Sequence, residues 1–305
     1  MYDLIVVGGG PAGLTATVYA LRKRLNVLLV SKDLGGKTNF RLSLPWVEDY
    51  QVIRGLEVVN KFKSELEYLD FARHMEPVET VTRHEDEKGP YYTICTKGGG
   101  ELPTRAVVIA TGVKQQRLNV PGEKDFIMRG LCFSAISYAP LFIEKKTVVV
   151  GDDDLALRAA AELATVANHV TLIRSNPQAK ESALSKKLQS TKNVTMLHNY
   201  QVVEVKGDDY ARGVLVKTPD GKDVEINSDG IFIEMALQPN TQMVKDLVEM
   251  DEIGRIKVDN GNRTSTPGIF AAGDATVGHP EQVLIAIGEG AKAGLSAYEY
   301  LLRLL

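Results

Sequence analysis

Hydrophobic positions along the chain fall into two copies of one pattern. Residues 4–7 and 26–30 are short β-branched or leucine-rich runs, and 12–24 between them carries its apolar positions at helical spacing. That order predicts a strand, a crossover helix and a second, parallel strand. The pattern recurs at 146–150, 155–167 and 169–173, where the helix is alanine-rich. Between the copies, 54–71 reads as an amphipathic helix, and 91–96 with 101–110 read as strands around Gly98-Gly99-Gly100. After the second copy, 194–205, 211–218, 222–226 and 231–234 read as strands, with a turn at Pro219-Asp220-Gly221. A strand and glycine turn over 266–275 and a helix over 281–304 follow. The class this predicts is α/β, with two Rossmann-like, three-layer domains.

The two copies differ at the turn after their first strand. The first reads Gly8-Gly9-Gly10-Pro11-Ala12-Gly13. In such a turn Gly8 makes the tight strand-to-helix bend, Gly10 lets backbone approach a pyrophosphate, and Gly13 lets helix and strand pack closely. The helix entered at Pro11 offers free N–H groups and a positive dipole end to the phosphates. The second copy reads Gly151-Asp152-Asp153-Asp154-Leu155-Ala156, with Asp153 where the second glycine would stand. At an effective dielectric near 20, each carboxylate about 5 Å from a phosphate charge costs roughly 3 kcal/mol. NAD(P)H binding at this turn is therefore not expected. The acids read better as caps of the helix that follows than as a cation site, since three adjacent carboxylates do not converge without further ligands.

Composition narrows the classes. A chain of 305 residues with 44% apolar content can bury a sizeable core and make about two domains, which excludes disordered and fibrous classes. Thirty-six basic against 39 acidic residues give a net charge of −3 with no long basic run, so neither nucleic acid nor an anionic membrane is expected as partner. No apolar stretch approaches the roughly 18 residues of a membrane span, and with a strand-like opening and no basic n-region a signal peptide is not expected, so the expected location is cytoplasmic. Only Cys95 and Cys132 occur, so neither a CxxC pair nor a zinc cluster can form within one chain. The five histidines show no metal spacing, and no metal is expected.

Taken in order, GGGPAG at 8–13, Gly35-Gly36, Val47-Glu48-Asp49, Ala110-Thr111-Gly112, Phe270-Ala271-Ala272-Gly273-Asp274 and Gln282-Val283 resemble the low-molecular-weight thioredoxin reductase family of FAD flavoproteins across nearly the whole chain. The resemblance implies a discontinuous FAD domain, 1–115 with 236–305, and an inserted, degenerate nucleotide-binding-type domain, 116–235. It implies FAD as cofactor, held by Gly8, Gly10, Pro11, Ala12, Gly13, Ser31, Lys32, Gly35, Gly36, Lys37, Asp49, Ala110, Thr111, Gly112, Gly273, Asp274, Glu281, Gln282 and Val283. Ser31 stands where an acidic ribose partner is usual, and its hydroxyl can bond a ribose or remain an ordinary loop residue. Asp274 would accept from the ribityl chain, or simply cap its turn. Glu281 replaces a basic residue frequent in the family, and a bare carboxylate there would make the flavin harder to reduce. Trp46, Tyr50 and Phe40 could cover the flavin ring, although a core role is the plainer reading.

The same resemblance marks what is missing. Aligned on the family's dithiol segment, 129–139 reads RGLCFSAISYA, placing Ser134 and Ser137 at the two cysteine positions and Tyr138 at the acid. Serine forms no disulfide and no thiolate. Only Arg174 remains of the basic cluster that grips the NADPH 2′-phosphate. Catalytic residues are left unassigned, with Cys132 and His279 as weak candidates against inert packing and an exposed loop. No C-terminal extension of the kind that covers the flavin in thioredoxin-reductase-like ferredoxin-NADP reductases is expected after the closing helix. Three functions stay open: an FAD oxidoreductase exchanging electrons with a protein redox partner such as ferredoxin, a non-catalytic flavin-binding partner or sensor, and a ferredoxin-NADP reductase-like enzyme. A homodimer is what the resemblance suggests.

Overall fold

The computed structural model describes residues 1–47, 55–278 and 281–304, so Asp49, Tyr50 and His279 lie outside the described residues. The chain forms two compact units, one of Met1–Asn39, Ile53–Lys114 and Gln238–Leu305, the other of Phe40–Val52 and Gln115–Leu237. The sequence reading kept 40–52 with the first unit. The structure corrects this, because Leu44 is buried in the core of the second unit, Trp46 packs against that core, and Ser43 bridges to Arg129.

In the first unit the strand Tyr2–Val7 runs parallel to Val27–Val30 on one side and Glu101–Ile109 on the other, with Ile5 opposite both Leu28 and Val107. Arg73–His74 extends the sheet beyond Val27–Val30, and Ile269–Ala271 pairs with the end of Glu101–Ile109, both parallel. The hairpin of Val78–Asp86 and Gly89–Thr96 lies antiparallel beside the start of Glu101–Ile109. Strand alternation sends Leu4 and Val6 to one face, under the helices Pro11–Arg22, Leu56–Glu67 and Val283–Leu302. Ile5 and Val7 point to the other face, onto Val81, Tyr92, Val244 and Ile256. Both faces are covered, which is why the central strands are apolar throughout. The first and last helices touch closely, since a Cβ on Gly290 would lie 2.2 Å from the Ala12 carbonyl oxygen.

The second unit repeats the plan with five parallel strands in the order Val194–His198, His169–Arg174, Lys146–Val150, Gly230–Ile233 and Leu131–Cys132. Helices Asp154–Ala164 and Ala183–Gln189 accompany it, and Gln201–Gly207, Ala211–Lys217 and Asp223–Asn227 form an antiparallel three-stranded sheet. The strand expected over 194–205 is two strands, broken where Asn199 adopts a left-handed φ of 62°. The helix expected over 54–71 is Leu56–Glu67, followed by a short 3-10 turn at Asp70–Ala72. Among the described residues no helix is long and apolar enough to cross a membrane.

Candidate functional site

The glycine turn at 8–13 is shaped by two constraints and one opening. Gly8 has φ +110°, and a Cβ there would sit 2.3 Å from the Ala110 carbonyl oxygen. At Gly13 the distance to the Gly8 carbonyl oxygen would be 1.7 Å. These two glycines are required by the protein's own packing. Gly10, with an ordinary φ of −75°, has nothing within 4 Å of its Cβ position. The protein itself gives position 10 no reason to be glycine, and an open cradle there is what a pyrophosphate needs. Helix Pro11–Arg22 starts on it with Pro11 in the first turn, no side-chain cap and no acidic residue. The site fits the diphosphate of FAD, whose charge would meet uncapped N–H groups at the positive end of the helix.

Of the residues named from the sequence, Ser31, Gly35, Gly36, Ala110 and Gly273 lie against the glycine turn. Ser31 is buried, accepts from the Gly9 N–H at 2.8 Å and donates to the Asp33 carbonyl at 2.7 Å. Its hydroxyl thus ties the glycine turn to the loop after Val27–Val30, and the reading of Ser31 as a free ribose partner changes accordingly. In that loop Gly35 donates to the Gly9 carbonyl at 2.7 Å, and Gly36 faces Gly10 with φ +56°. Lys32 is exposed, 3.9 Å from Asp33. Ala110 donates to the Val7 carbonyl at 2.8 Å. The Thr111 hydroxyl donates to the Asn240 carbonyl at 2.6 Å, and the Asn240 N–H donates to the Gly112 carbonyl. Thr111 and Gly112 therefore help hold Val113–Lys114 and Gln238–Pro239, the segments that flank 115–237, as an antiparallel pair.

Opposite the cradle, Gly273 takes φ +74°, and a Cβ there would meet that of Ala12 at 3.1 Å. Asp274 is ion-paired with Lys37 at 2.5 Å. The sequence points to both residues but not to their pairing. It missed Glu289, whose Oε2 accepts from the Gly273 N–H at 2.7 Å. The signal was available, for a lone carboxylate in the small and apolar stretch Val283-Leu284-Ile285-Ala286-Ile287-Gly288-Glu289-Gly290-Ala291 demands a partner. Burial pushes Glu289 above the usual carboxylate range, the Gly273 N–H and Lys292 oppose that rise, and Asp274 adds to it.

At the last helix Gln282 is the uncapped N-cap and Val283 the first helical residue. Glu281, just before it, is not the bare carboxylate that the sequence suggested. The buried Arg255 guanidinium reaches it at 2.8 Å, so this carboxylate is paired with a cation.

In the second unit the acidic turn is knitted shut. Asp153 caps Asp154–Ala164 by accepting from the Leu155 N–H at 3.0 Å. The Asp152 carboxylate accepts from the Asn176 N–H at 2.9 Å and the Ser175 hydroxyl at 3.0 Å. Arg174 is fully buried and donates to the Asp152 carbonyl at 2.7 Å and the Lys180 carbonyl at 3.3 Å, spending itself on the loop instead of presenting a charge outward. Ser134 and Ser137 stand together at the start of the short helix Ala135–Tyr138, Ser134 donating to Ser137 across 3.0 Å. Cys132 is completely buried, its thiol pushed well above the ordinary range by burial first and the Glu234 carboxylate second, the surroundings of a packing cysteine. Trp46 stacks edge-on to Phe142 at 5.8 Å and donates to the Leu141 carbonyl, a core role, whereas Phe40 is half exposed.

The pyridine nucleotide-disulphide oxidoreductase family pattern matches residues 2–290. Among curated proteins, an alkyl hydroperoxide reductase component from Staphylococcus aureus is 34% identical over 99% of this chain, and NADH dehydrogenase of Bacillus subtilis is 32% identical over the same share. The chain spans 59% of the length of each. Thioredoxin reductase from Streptococcus pyogenes superposes with a TM-score of 0.88 at 32% identity and that from Giardia duodenalis with 0.86 at 27%, each covering 99% of both chains. With the open cradle at Gly10, these likenesses establish that the chain belongs to the pyridine nucleotide-disulphide oxidoreductase family, as a thioredoxin-reductase-like FAD flavoprotein.

Proposed function

We propose that the chain is an FAD-dependent oxidoreductase that exchanges electrons with a protein redox partner, using neither NADPH nor an internal dithiol. One observation carries this reading: at the family's dithiol position two serine hydroxyls face each other at 3.0 Å, a pair that holds a hydrogen bond and no electrons. The closed acidic turn supports it, because a pyrophosphate would have to displace the Asp153 cap and approach three carboxylates. FAD, when bound, would accept electrons singly or in pairs. The chain's residues provide the rest. Gly10 and the start of Pro11–Arg22 hold the diphosphate, Asp274 accepts from a hydroxylated chain, and Lys37 and Arg255 balance the carboxylates nearby. Reduced ferredoxin is the donor to test first. A cytoplasmic homodimer is part of the same proposal, to be checked by analytical ultracentrifugation.

A second reading, oxidation of NAD(P)H in a different pose with ferredoxin-NADP reductase-like activity, is favoured by the likeness to a relative named NADH dehydrogenase. Anaerobic titration of the yellow protein separates the two. Reduced ferredoxin should bleach the flavin while NADH and NADPH leave it oxidised. Rapid bleaching by NADPH overturns the first reading. Bleaching by dithionite alone would favour a non-catalytic flavin-binding role.

A further inference from the structure

We propose that Glu289 is a positioning residue for the cofactor, its carboxylate fixing the Gly273-Asp274 turn in the shape that presents Asp274 to FAD. The inference rests on FAD lying against Asp274. Gly273 sits at φ +74°, one of several conformations open to glycine, so its own backbone preference does not fix the turn, and its N–H is bonded to Glu289 of helix Val283–Leu302 instead of to a strand ladder. Glu289 Oε2 receives that N–H at 2.7 Å. The Thr276 hydroxyl donates to the Gly273 carbonyl at 2.9 Å and lies 3.5 Å from the same carboxylate oxygen, so the Gly273 N–H is the bond by which Glu289 holds the turn. On the outer side Lys37 grips Asp274 at 2.5 Å. The Asp274 carboxylate is thus set from two directions, by a cation on its oxygen and by Glu289 through its backbone.

A carboxylate is the group for this task because a charge-assisted N–H···O bond is about twice as strong as a neutral one. It is also an expensive choice in a half-buried position, where an amide or a hydroxyl would be easier to bury. The charged groups facing Glu289 are Lys292 on its own helix and Asp274 on the turn, the latter already paired with Lys37. Protonation of Glu289 would weaken the bond to Gly273 and relax the turn. Because burial raises the Glu289 pKa, that loss comes at a higher pH than for an ordinary surface carboxylate.

The test is FAD affinity of the full chain, stripped of flavin and reloaded, read by quenching of flavin fluorescence across a pH series. Glu289→Ala should weaken binding at least tenfold at neutral pH. Glu289→Gln, which keeps an acceptor but not the charge, should lose only a few-fold, match the acid plateau of the unmodified chain and show no pH dependence of its own. Asp274→Asn is the control for the placement of FAD. If it weakens binding while Glu289→Ala does not, the positioning role is overturned and the placement stands. If Asp274→Asn leaves binding unchanged, the placement fails and the proposal with it. Should Glu289→Ala not fold, a Glu289→Gln profile identical to that of the unmodified chain at every pH overturns the proposal.

Discussion

A methyl group at position 10 would meet no atom of the protein, whereas one at position 13 would collide with the Gly8 carbonyl. Gly10→Ala should therefore fold with a stability within about 0.5 kcal/mol of the parent but retain little FAD through purification. Gly13→Ala should lose well over 1 kcal/mol or not accumulate at all. Thermal unfolding and flavin absorbance read both outcomes, and a Gly10→Ala protein that stays fully yellow would remove the diphosphate from this turn. Glu289 gives a second prediction. Its pKa is raised in the fold, so its contribution to stability is greatest below the ordinary carboxylate value and declines as pH rises through the raised one. Glu289→Gln should accordingly unfold at a higher temperature than the parent at neutral pH, with the difference vanishing in acid. A parent as stable as the variant at neutral pH would contradict the assignment. At this scale the sequence named the glycines and acids of these turns, since their spacing is local. It could not disclose that Lys37 reaches Asp274 or that Arg255 neutralises Glu281, because those partners are set by the tertiary fold.

Elements whose apolar pattern is strong were legible nearly to the residue: Lys146–Val150 falls where 146–150 was expected, and Ala211–Lys217 within one residue of its forecast. Val78–Asp86 was not, because it is a largely exposed hairpin strand reading VETVTRHED with only Val81 buried, which leaves no alternation to detect. The acidic turn was legible as a defect but not as a tie. Only the fold shows Asp152 bonding the loop after His169–Arg174, which ties the two loops together. Asp152→Ala should loosen this tie by about 1–2 kcal/mol. Amide hydrogen exchange at Asn176 checks this, and unchanged protection there would count against the tie. The serine pair makes a sharper forecast. With the hydroxyls 3.0 Å apart, a Ser134→Cys and Ser137→Cys double variant should form an intrachain disulfide under mild oxidation with little loss of stability. Thiol titration under denaturing conditions before and after oxidation reads it, with persistence of all four thiols as the contrary result.

At the scale of the molecule, two units with separate cores share one chain, and the repeat of the strand-helix-strand pattern announced both. What the pattern could not announce is that 40–47 belongs with the second, since its contacts lie about a hundred residues away at Arg129 and Leu141. The clasp of Val113–Lys114 with Gln238–Pro239 has a consequence for how such a chain can be rebuilt. Lys114 and Gln238 are direct neighbours across the pair, so a two-residue Asn-Gly turn can replace everything between them without stretching the backbone. The shortened chain should keep its flavin cradle but carry Leu44 and Trp46 as an orphaned greasy tab, and it should remain monodisperse by size-exclusion chromatography only when these are made polar. The clasp thus serves as a splice point through which 115–237, though not the 40–47 segment, can be exchanged for another domain while the flavin-cradle unit keeps its own architecture.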